Sequence, residues 1–315
     1  MAKFLVTGGG GFIGSNLVEA LLRGGDDVTA LDNFSTGRRE NLSVTGEWAA
    51  EGGGSFRLVE GDIRDETVCR DAVDGAEYIL HQAAIPSVQR SVLDPLTTND
   101  VNVNGTLRLL EAARAVKAKR FVFASSSSLY GESETLPKVE SMPSAPISPY
   151  GLQKLTGETY CRLYHSLYGL PTVALRYFNV FGPRQDPSSD YAAVVPRFIT
   201  AGKSGGRATV YGDGEQTRDF TFIQNVIHAN RRACEAGPEA CGLAYNIACG
   251  ERISLNQLLV KIGEVLGREV PADRVDPRPG DIRHSLAGIE LAVERLDYQP
   301  RFDISEGLQR TAKAF

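Results

Sequence analysis

With 315 residues, of which 23% are charged and 42% apolar, and a net charge of -5, the chain has room for one large α/β domain or two unequal ones. The acidic balance argues against a nucleic-acid partner, and no uninterrupted apolar run approaches the roughly 20 residues of a membrane span. Five scattered cysteines without a C-x-x-C pair suit reduced thiols, and four histidines without ligand spacing argue against a bound metal. The N-terminus enters a strand-like segment with no basic region or cleavage site, so a cytoplasmic location is expected.

Phe4 to Val6 is a short apolar run, followed at once by Thr7-Gly8-Gly9-Gly10-Gly11-Phe12-Ile13-Gly14 and a helical pattern from Asn16 to Arg23. Glycines at 8, 11 and 14 let the backbone turn tightly and approach a pyrophosphate, and the helix start offers it unpaired N–H groups. The spacing is G-x-x-G-x-x-G rather than G-x-G-x-x-G. A second strand, Asp27 to Leu31, ends at Asp32, where a carboxylate can bind adenosine ribose hydroxyls and repel a 2′-phosphate. That favours NAD, although Arg38 and Arg39 follow closely and are able to hold such a phosphate.

The glycine-rich stretch Glu47 to Ser55 predicts a surface loop, and Phe56 to Glu60 a third strand. Asp62-Ile63 then either sits against adenine or caps a helix beginning near Arg64. A fourth strand, Glu77 to His81, leads into Gln82-Ala83-Ala84, whose small side chains permit close approach of a dinucleotide, with His81 structural. Val101 to Val116 predicts a long amphipathic helix, and Arg120 to Ala124 a fifth strand that delivers Ser125-Ser126-Ser127-Ser128 to the same sheet edge. This alternation predicts a doubly wound parallel sheet, with ligands at the carboxyl ends of its strands.

Pro143, Pro146 and Pro149 punctuate the loop before a helix running from Tyr150 to about Tyr168. Tyr150 and Lys154 share a face of that helix, and an ammonium beside a phenol favours the phenolate, so a tyrosine pKa below its usual value near 10 is expected. Alone, the pair reads more readily as two exposed neighbours, and only its context can outweigh that reading. Thr172 to Arg176 predicts another strand, after which polar, glycine-containing segments at Asn179–Gln185, Tyr211–Gln216 and Arg278–Asp281 replace the regular alternation. The expected division is residues 1–176 and 177–315, with segments near 224–247 returning to the first part.

Assembled in this order, the glycine turn, Asp32, the serines and Tyr150-x-x-x-Lys154 resemble the extended short-chain dehydrogenase/reductase family, specifically its NAD-dependent nucleotide-sugar 4-epimerases. Further similar segments are Asp32-Asn33-Phe34-Ser35-Thr36-Gly37, His81-Gln82-Ala83-Ala84, Ser126-Ser127-Ser128-Leu129-Tyr130-Gly131, Arg176-Tyr177-Phe178-Asn179-Val180-Phe181-Gly182-Pro183 and Arg218-Asp219-Phe220. The resemblance implies a Rossmann domain holding NAD, a smaller mixed α/β region for a UDP-sugar, and a homodimer built from the long helices. It implies cofactor contacts at Gly8, Gly11, Phe12, Ile13, Gly14, Asp32, Asn33, Ser35, Thr36, Gly37, Asp62, Ile63, Gln82, Ala83, Ala84, Asn99, Tyr150, Lys154 and Tyr177. For the substrate it implies Ser87, Ser126, Ser127, Ser128, Tyr150, Asn179, Val194, Val195, Tyr211, Arg218, Arg278, Asp281 and Ser285. The implied chemistry makes Tyr150 the base for the sugar O4 proton, Ser126 a hydrogen-bond partner of the reacting oxygen and Lys154 the residue that holds nicotinamide ribose and depresses the tyrosine pKa, while C4 gives its hydride to NAD.

Two positions discriminate among reactions in the resembled family. Its dehydratases place an Asp-Glu pair where this chain has Ser127-Ser128, because eliminating water needs a carboxylic acid and a carboxylate; its decarboxylases usually keep a glutamate at the position of Ser128. Epimerisation needs neither. At Ser285 the epimerases restricted to UDP-glucose and UDP-galactose commonly carry a tyrosine, so serine there, with Gly182-Pro183-Arg184-Gln185-Asp186-Pro187, most resembles bacterial enzymes acting on UDP-N-acetylglucosamine and UDP-N-acetylgalactosamine. The alternatives are UDP-glucose or UDP-glucuronate 4-epimerisation, or a nucleotide-sugar reductase on the same scaffold. Arg218 and Arg278 suit a diphosphate, or else pair with Asp219 and Asp281 at the surface.

Overall fold

The computed structural model describes residues 1–187, 193–277 and 282–315. The first half alternates strictly. Strand β1 (Lys3–Thr7) leads to helix α1 (Phe12–Arg23), β2 (Asp27–Asp32), α2 (Thr45–Gly52), β3 (Phe56–Glu60), α3 (Glu66–Val73) and β4 (Tyr78–His81). Helices α4 (Val88–Leu93) and α5 (Pro95–Asn99) follow, then a π-helical stretch over Asp100–Gly105 that continues into α6 (Thr106–Ala115). Strand β5 (Arg120–Ser126), helix α7 (Pro149–Tyr168) and strand β6 (Thr172–Tyr177) complete the series.

The seven-stranded sheet has the order β11-β6-β5-β4-β1-β2-β3, where β11 is Leu243–Ile247, and every pairing in it is parallel. A parallel sheet needs cover on both faces, and its central strands accordingly read as unbroken apolar runs. Val6, Val28, Leu80, Val122 and Val173 face a core shared with α1 and α9 (Ile223–Glu235). Leu5, Leu31, Ile79, Phe121 and Phe123 face the opposite core, filled by α3, α6 and α7. The expected doubly wound sheet is thus present, and α9 and β11, late in the chain, belong to it.

Outside the sheet, among the described residues, lie three two-stranded pieces. β7 (Val180–Phe181) pairs with β10 (Thr221–Phe222), β8 (Ala208–Tyr211) with β13 (Ala272–Val275), and β9 (Thr217–Arg218) with β12 (Ile253–Ser254). Helices α8 (Val194–Ser204), α10 (Leu255–Leu266), α11 (Glu290–Leu296) and α12 (Ile304–Ala314) pack around them. No helix among the described residues is long and apolar enough to cross a membrane. The five cysteines are free thiols.

Two expectations are corrected. Glu47 to Ser55 is not a loop: residues 45–52 form α2, because Thr45 and Trp48 bury one helical face against α1, and the glycines only end the helix, Gly53 adopting the left-handed cap. The helix expected at Val101 is the middle of a longer helical run that begins at Pro95, where Asp94 caps the first turn, and that changes pitch through the π-stretch.

Candidate active site

The carboxyl ends of β1, β2, β4, β5 and β6 deliver Gly8, Asp32, Gln82, Ser126 and Tyr177 to one edge of the sheet. Gly8 takes φ +68, and a Cβ on Gly14 would lie 2.0 Å from the Gly8 carbonyl oxygen, so turn and helix approach as only glycine permits. Helix α1 starts at Phe12 without a side-chain cap or an acidic residue in its first turn, which leaves its N–H groups for an anion. Asp32 is buried; its carboxylate accepts from Gly10 N at 2.8 Å and Phe34 N at 2.7 Å. Those bonds leave lone pairs for two hydroxyls. Burial, partly offset by these N–H donors, raises its pKa above the usual carboxylate value.

The loop after Asp32 folds back over the glycine turn: Arg38 N donates to Gly10 O at 2.9 Å, and Gly37 lies against Asp32. Asn33 reaches Asp62 at 2.8 Å, while Ser35 and Thr36 remain exposed. Asp62 does not cap the next helix; Asp65 does, accepting from Thr67 N and Val68 N. Instead Asp62 pairs with Arg64, which pulls its pKa down to about 2. Ile63 turns its side chain into the core, so only its backbone faces the edge. At β4, Ala83 N donates to Thr7 Oγ1, and Gln82 Oε1 accepts from the Tyr177 hydroxyl, itself a partner of Asn230 on α9 at 2.9 Å. His81 is structural, buried between Thr7 and Thr106 hydroxyls at 2.7 and 2.9 Å, and burial lowers its pKa to about 3.

Asn99 and Ser87 both lie at helix ends. Asn99 is exposed at the end of α5; the asparagine that reaches the edge is Asn102, inside the π-stretch, holding Ile85 N at 2.8 Å and Gln153 at 2.8 Å. Ser87 is buried as the N-cap of α4, its hydroxyl accepting from Arg90 N.

Ser148 caps α7 by accepting from Gly151 N, and Pro149 opens it, so Tyr150 lies in the first turn and Lys154 one turn later. Tyr150 N donates to Ser91 Oγ at 3.0 Å, tying the helix start to α4. The Tyr150 phenol faces Ser126, which favours the phenolate, yet burial dominates and pushes its pKa up to about 12. Lys154 Nζ donates to Ala124 O at 2.7 Å, lies 5.9 Å from the Tyr150 ring centre, and is pulled down to about 8 by burial. The expected depression of the tyrosine by the lysine is therefore not found: both charged forms are opposed by the same low-dielectric surroundings. Ser128 N donates to Ser126 Oγ at 3.2 Å, and Ser128 Oγ is buried without a protein partner.

On the far side, Asn179 holds Asp219 O at 3.2 Å and Arg218 Nη1 donates to the carbonyls of Thr217 and Arg283. Asp219 does not pair with its neighbour Arg218 at the surface. It is wholly buried, raised to about 6 by that burial, and accepts N–H bonds from Cys249, Gly250 and Ala287. Val195 points into the core, whereas Val194 is half-buried at the start of α8. Tyr211 ends β8, its carbonyl bonded to Gln216. Ser285 is half-buried and its N–H bonds Thr217 O at 3.0 Å, beside Arg218. Arg278 and Asp281 lie outside the described residues.

The profile of the NAD dependent epimerase/dehydratase family matches residues 4–248, the glycine turn through β11. The chain belongs to this family. A UDP-glucose 4-epimerase of Mycolicibacterium smegmatis is 40% identical, over 99% of this chain and 98% of the relative. The UDP-N-acetylglucosamine 4-epimerase of Methanobrevibacter ruminantium, solved with UDP-N-acetylmuramic acid, superposes with TM-score 0.93 at 39% identity, covering 100% of this chain and 98% of its own. A UDP-glucuronic acid 4-epimerase of Bacillus cereus, solved with its substrate and NAD, gives TM-score 0.88 at 32% identity over 99% and 98%. NAD is the cofactor of this epimerase/dehydratase-family enzyme, and the uncapped α1 start, the glycine turn and the buried Asp32 carboxylate fit it.

Within the family frame, the residues that the sequence left unmarked are those that hold the marked ones. Ser125 Oγ donates to Glu158 of α7 at 2.9 Å, and Glu158 pairs with Arg176 of β6. Arg176 also donates to the Tyr130 hydroxyl at 2.7 Å, which donates to Asn246 of β11. No local pattern announces such a network, because bonded partners within it lie up to 116 residues apart.

Proposed function

We propose that this NAD-dependent UDP-sugar 4-epimerase interconverts UDP-N-acetylglucosamine and UDP-N-acetylgalactosamine. The observation that carries the substrate choice is Ser285: a small side chain, half-buried, in a segment tied to Thr217 beside Arg218. A tyrosine there would take space next to the nucleotide-sugar contacts, and serine leaves room for a 2-acetamido group. In this reading residues 1–176, with the return segments near 224–247, hold NAD, and 177–315 mainly cover the nucleotide sugar. Arg218, Asn179, Tyr211 and the start of α8 contact the nucleotide, joined by Arg278 and Asp281.

Bound NAD supplies a reversible hydride acceptor for C4. Tyr150 removes the O4 proton and returns it after the 4-keto sugar has turned, so the reaction closes with no net redox change. Ser126, beside the phenol, orients the reacting oxygen, and Lys154 places a positive charge near the phenolate that takes the proton. Serine at 127 and 128 offers no carboxyl group to carry the keto sugar on to dehydration. The orphaned Ser128 hydroxyl is a candidate donor to the sugar.

The working assembly is read as a homodimer. Leu152, Leu163 and Leu167, spaced to share a face of α7, are 55%, 40% and 66% exposed, and Val92, Leu93 and Leu96 on α4 and α5 are exposed as well.

The test is a panel of UDP-sugars incubated without added NAD, with C4 epimers separated by chromatography. N-acetylated sugars are expected to epimerise; turnover of UDP-glucose or UDP-glucuronate with none of UDP-N-acetylglucosamine overturns the substrate assignment.

A further inference from the structure

We infer that Pro183, Arg184 and Asp186 form a strap that retains NAD by anchoring the nucleotide-sugar region across both ends of the adenosine diphosphate site. The segment leaves β7 through Gly182 and runs over the start of α1. Arg184 takes φ +67, a left-handed conformation that a residue with a Cβ adopts only at a cost, so its surroundings must hold it there.

What holds it is α1 and α2. Arg184 Nε donates to Ser15 Oγ at 3.1 Å, Nη2 pairs with Glu19 at 2.7 Å, and the guanidinium lies 5.4 Å from the Trp48 ring centre. One residue earlier, Asn16 Nδ2 donates to the Pro183 carbonyl at 3.0 Å. Two residues later, Asp186 pairs with Arg38 at 2.6 Å. Ser15, Asn16 and Glu19 belong to the first turns of the helix whose free N–H groups face the pyrophosphate. Arg38 directly follows the Asp32–Gly37 run assigned to the adenosine ribose. The strap is therefore pinned at the phosphate end and at the ribose end, through α1, α2 and the loop between β2 and α2.

An enzyme that oxidises and then reduces the same sugar must keep its cofactor between the two half-reactions, since loss midway strands the keto sugar. A strap bonded to both halves of the binding turn adds its own opening cost to NAD release without altering the hydride step. It also engages Arg38 with a carboxylate, so that the cation best placed to accept a 2′-phosphate is already faced by Asp186.

The inference rests on NAD lying over the glycine turn, not on which sugar is used, and the test keeps the two apart. Bound NAD per chain, and its release into an excess of a trapping dehydrogenase, are measured without any UDP-sugar. Arg184→Ala is expected to release NAD at least about tenfold faster than wild type, and Asp186→Asn, whose pair with Arg38 is partly exposed, about two- to fivefold faster. Exchanging the pair, Arg38→Asp with Asp186→Arg, is expected to recover most of that loss relative to Asp186→Asn. If Arg184→Ala does not fold, Arg184→Gln, which removes the charge but keeps a donor, carries the same expectation. Release at the wild-type rate in the Arg184 and Asp186 variants, or an exchange pair no slower than Asp186→Asn, overturns the strap. A wild-type protein that binds no NAD overturns the cofactor placement instead.

Discussion

With the Tyr150 phenol pushed up to about 12 and the Lys154 ammonium pulled down to about 8, both by burial, the pair loses its first proton near pH 8. Once one proton is gone, the pair is shared between neutral phenol with amine and phenolate with ammonium, in a ratio that pH no longer changes. The second form is the one that takes the O4 proton. It follows that kcat/KM climbs about tenfold per pH unit below the first step and levels off above it. Lys154→Met removes that step, so the rising limb moves upward toward the phenol's own ionisation while the rate falls. Steady-state pH profiles of both proteins check this; a wild-type profile flat between about pH 6 and 9 refutes the shared-proton account. The juxtaposition behind it was legible because it is local: Tyr150 and Lys154 are one helical turn apart, and the serines form one turn after one strand. The sign of the shift was not legible, since it depends on how deeply the strands and α4 enclose that turn.

Helix α7 is held to the sheet by more than apolar packing. Glu158 lies one turn beyond Lys154, and its carboxylate joins Ser125 of β5 to Arg176 of β6, with Arg176 and Glu158 side chains only 6% and 13% exposed. Removing one member of such a buried pair leaves the other charge uncompensated, at a cost of about 3–5 kcal/mol. Glu158→Ala is therefore expected to lower stability by about 3 kcal/mol or more in urea unfolding, and to lower kcat more than it raises KM, because Ser126 and Tyr150 lose their common mounting. Destabilisation below about 1 kcal/mol would show the pair to be dispensable. Helix α7 itself was readable from the prolines before it, and in the structure Ser148 and Gly169 cap its two ends. The network was not, because Glu158 looks like any polar helix residue until β6 is placed beside it. Helix α2 shows the opposite failure: its glycines suggested a loop, and Trp48, whose burial against α1 decides the matter, signals only once α1 is in position.

At the scale of the molecule, the alternation of strands and helices through residue 177 was open to reading because each element carries its own period. The return of α9 and β11 to the sheet was visible only as a possibility, since strand order is a long-range property. The face of α7 opposite the sheet has a comparable consequence. Leu152, Leu163 and Leu167 cannot be core residues of the single chain, yet they occupy the helix that carries Tyr150 and Lys154. Covering them by a second copy would bury the three leucines, with Thr156 and Thr159 between them, and brace the catalytic helix from behind. Each leucine so buried is worth about 1.5–3 kcal/mol, and a symmetric interface counts every substitution twice. The double variant Leu163→Lys/Leu167→Lys is therefore expected to weaken dimerisation at least about a hundredfold, giving monomers by size-exclusion chromatography with light scattering where the wild type is expected to run as a dimer. Because α7 loses its support, the monomer should also lose epimerase activity in proportion to dissociation, and recover it at high protein concentration. A wild-type protein that is monomeric at micromolar concentration overturns the dimer, and a double variant that remains dimeric places the interface elsewhere.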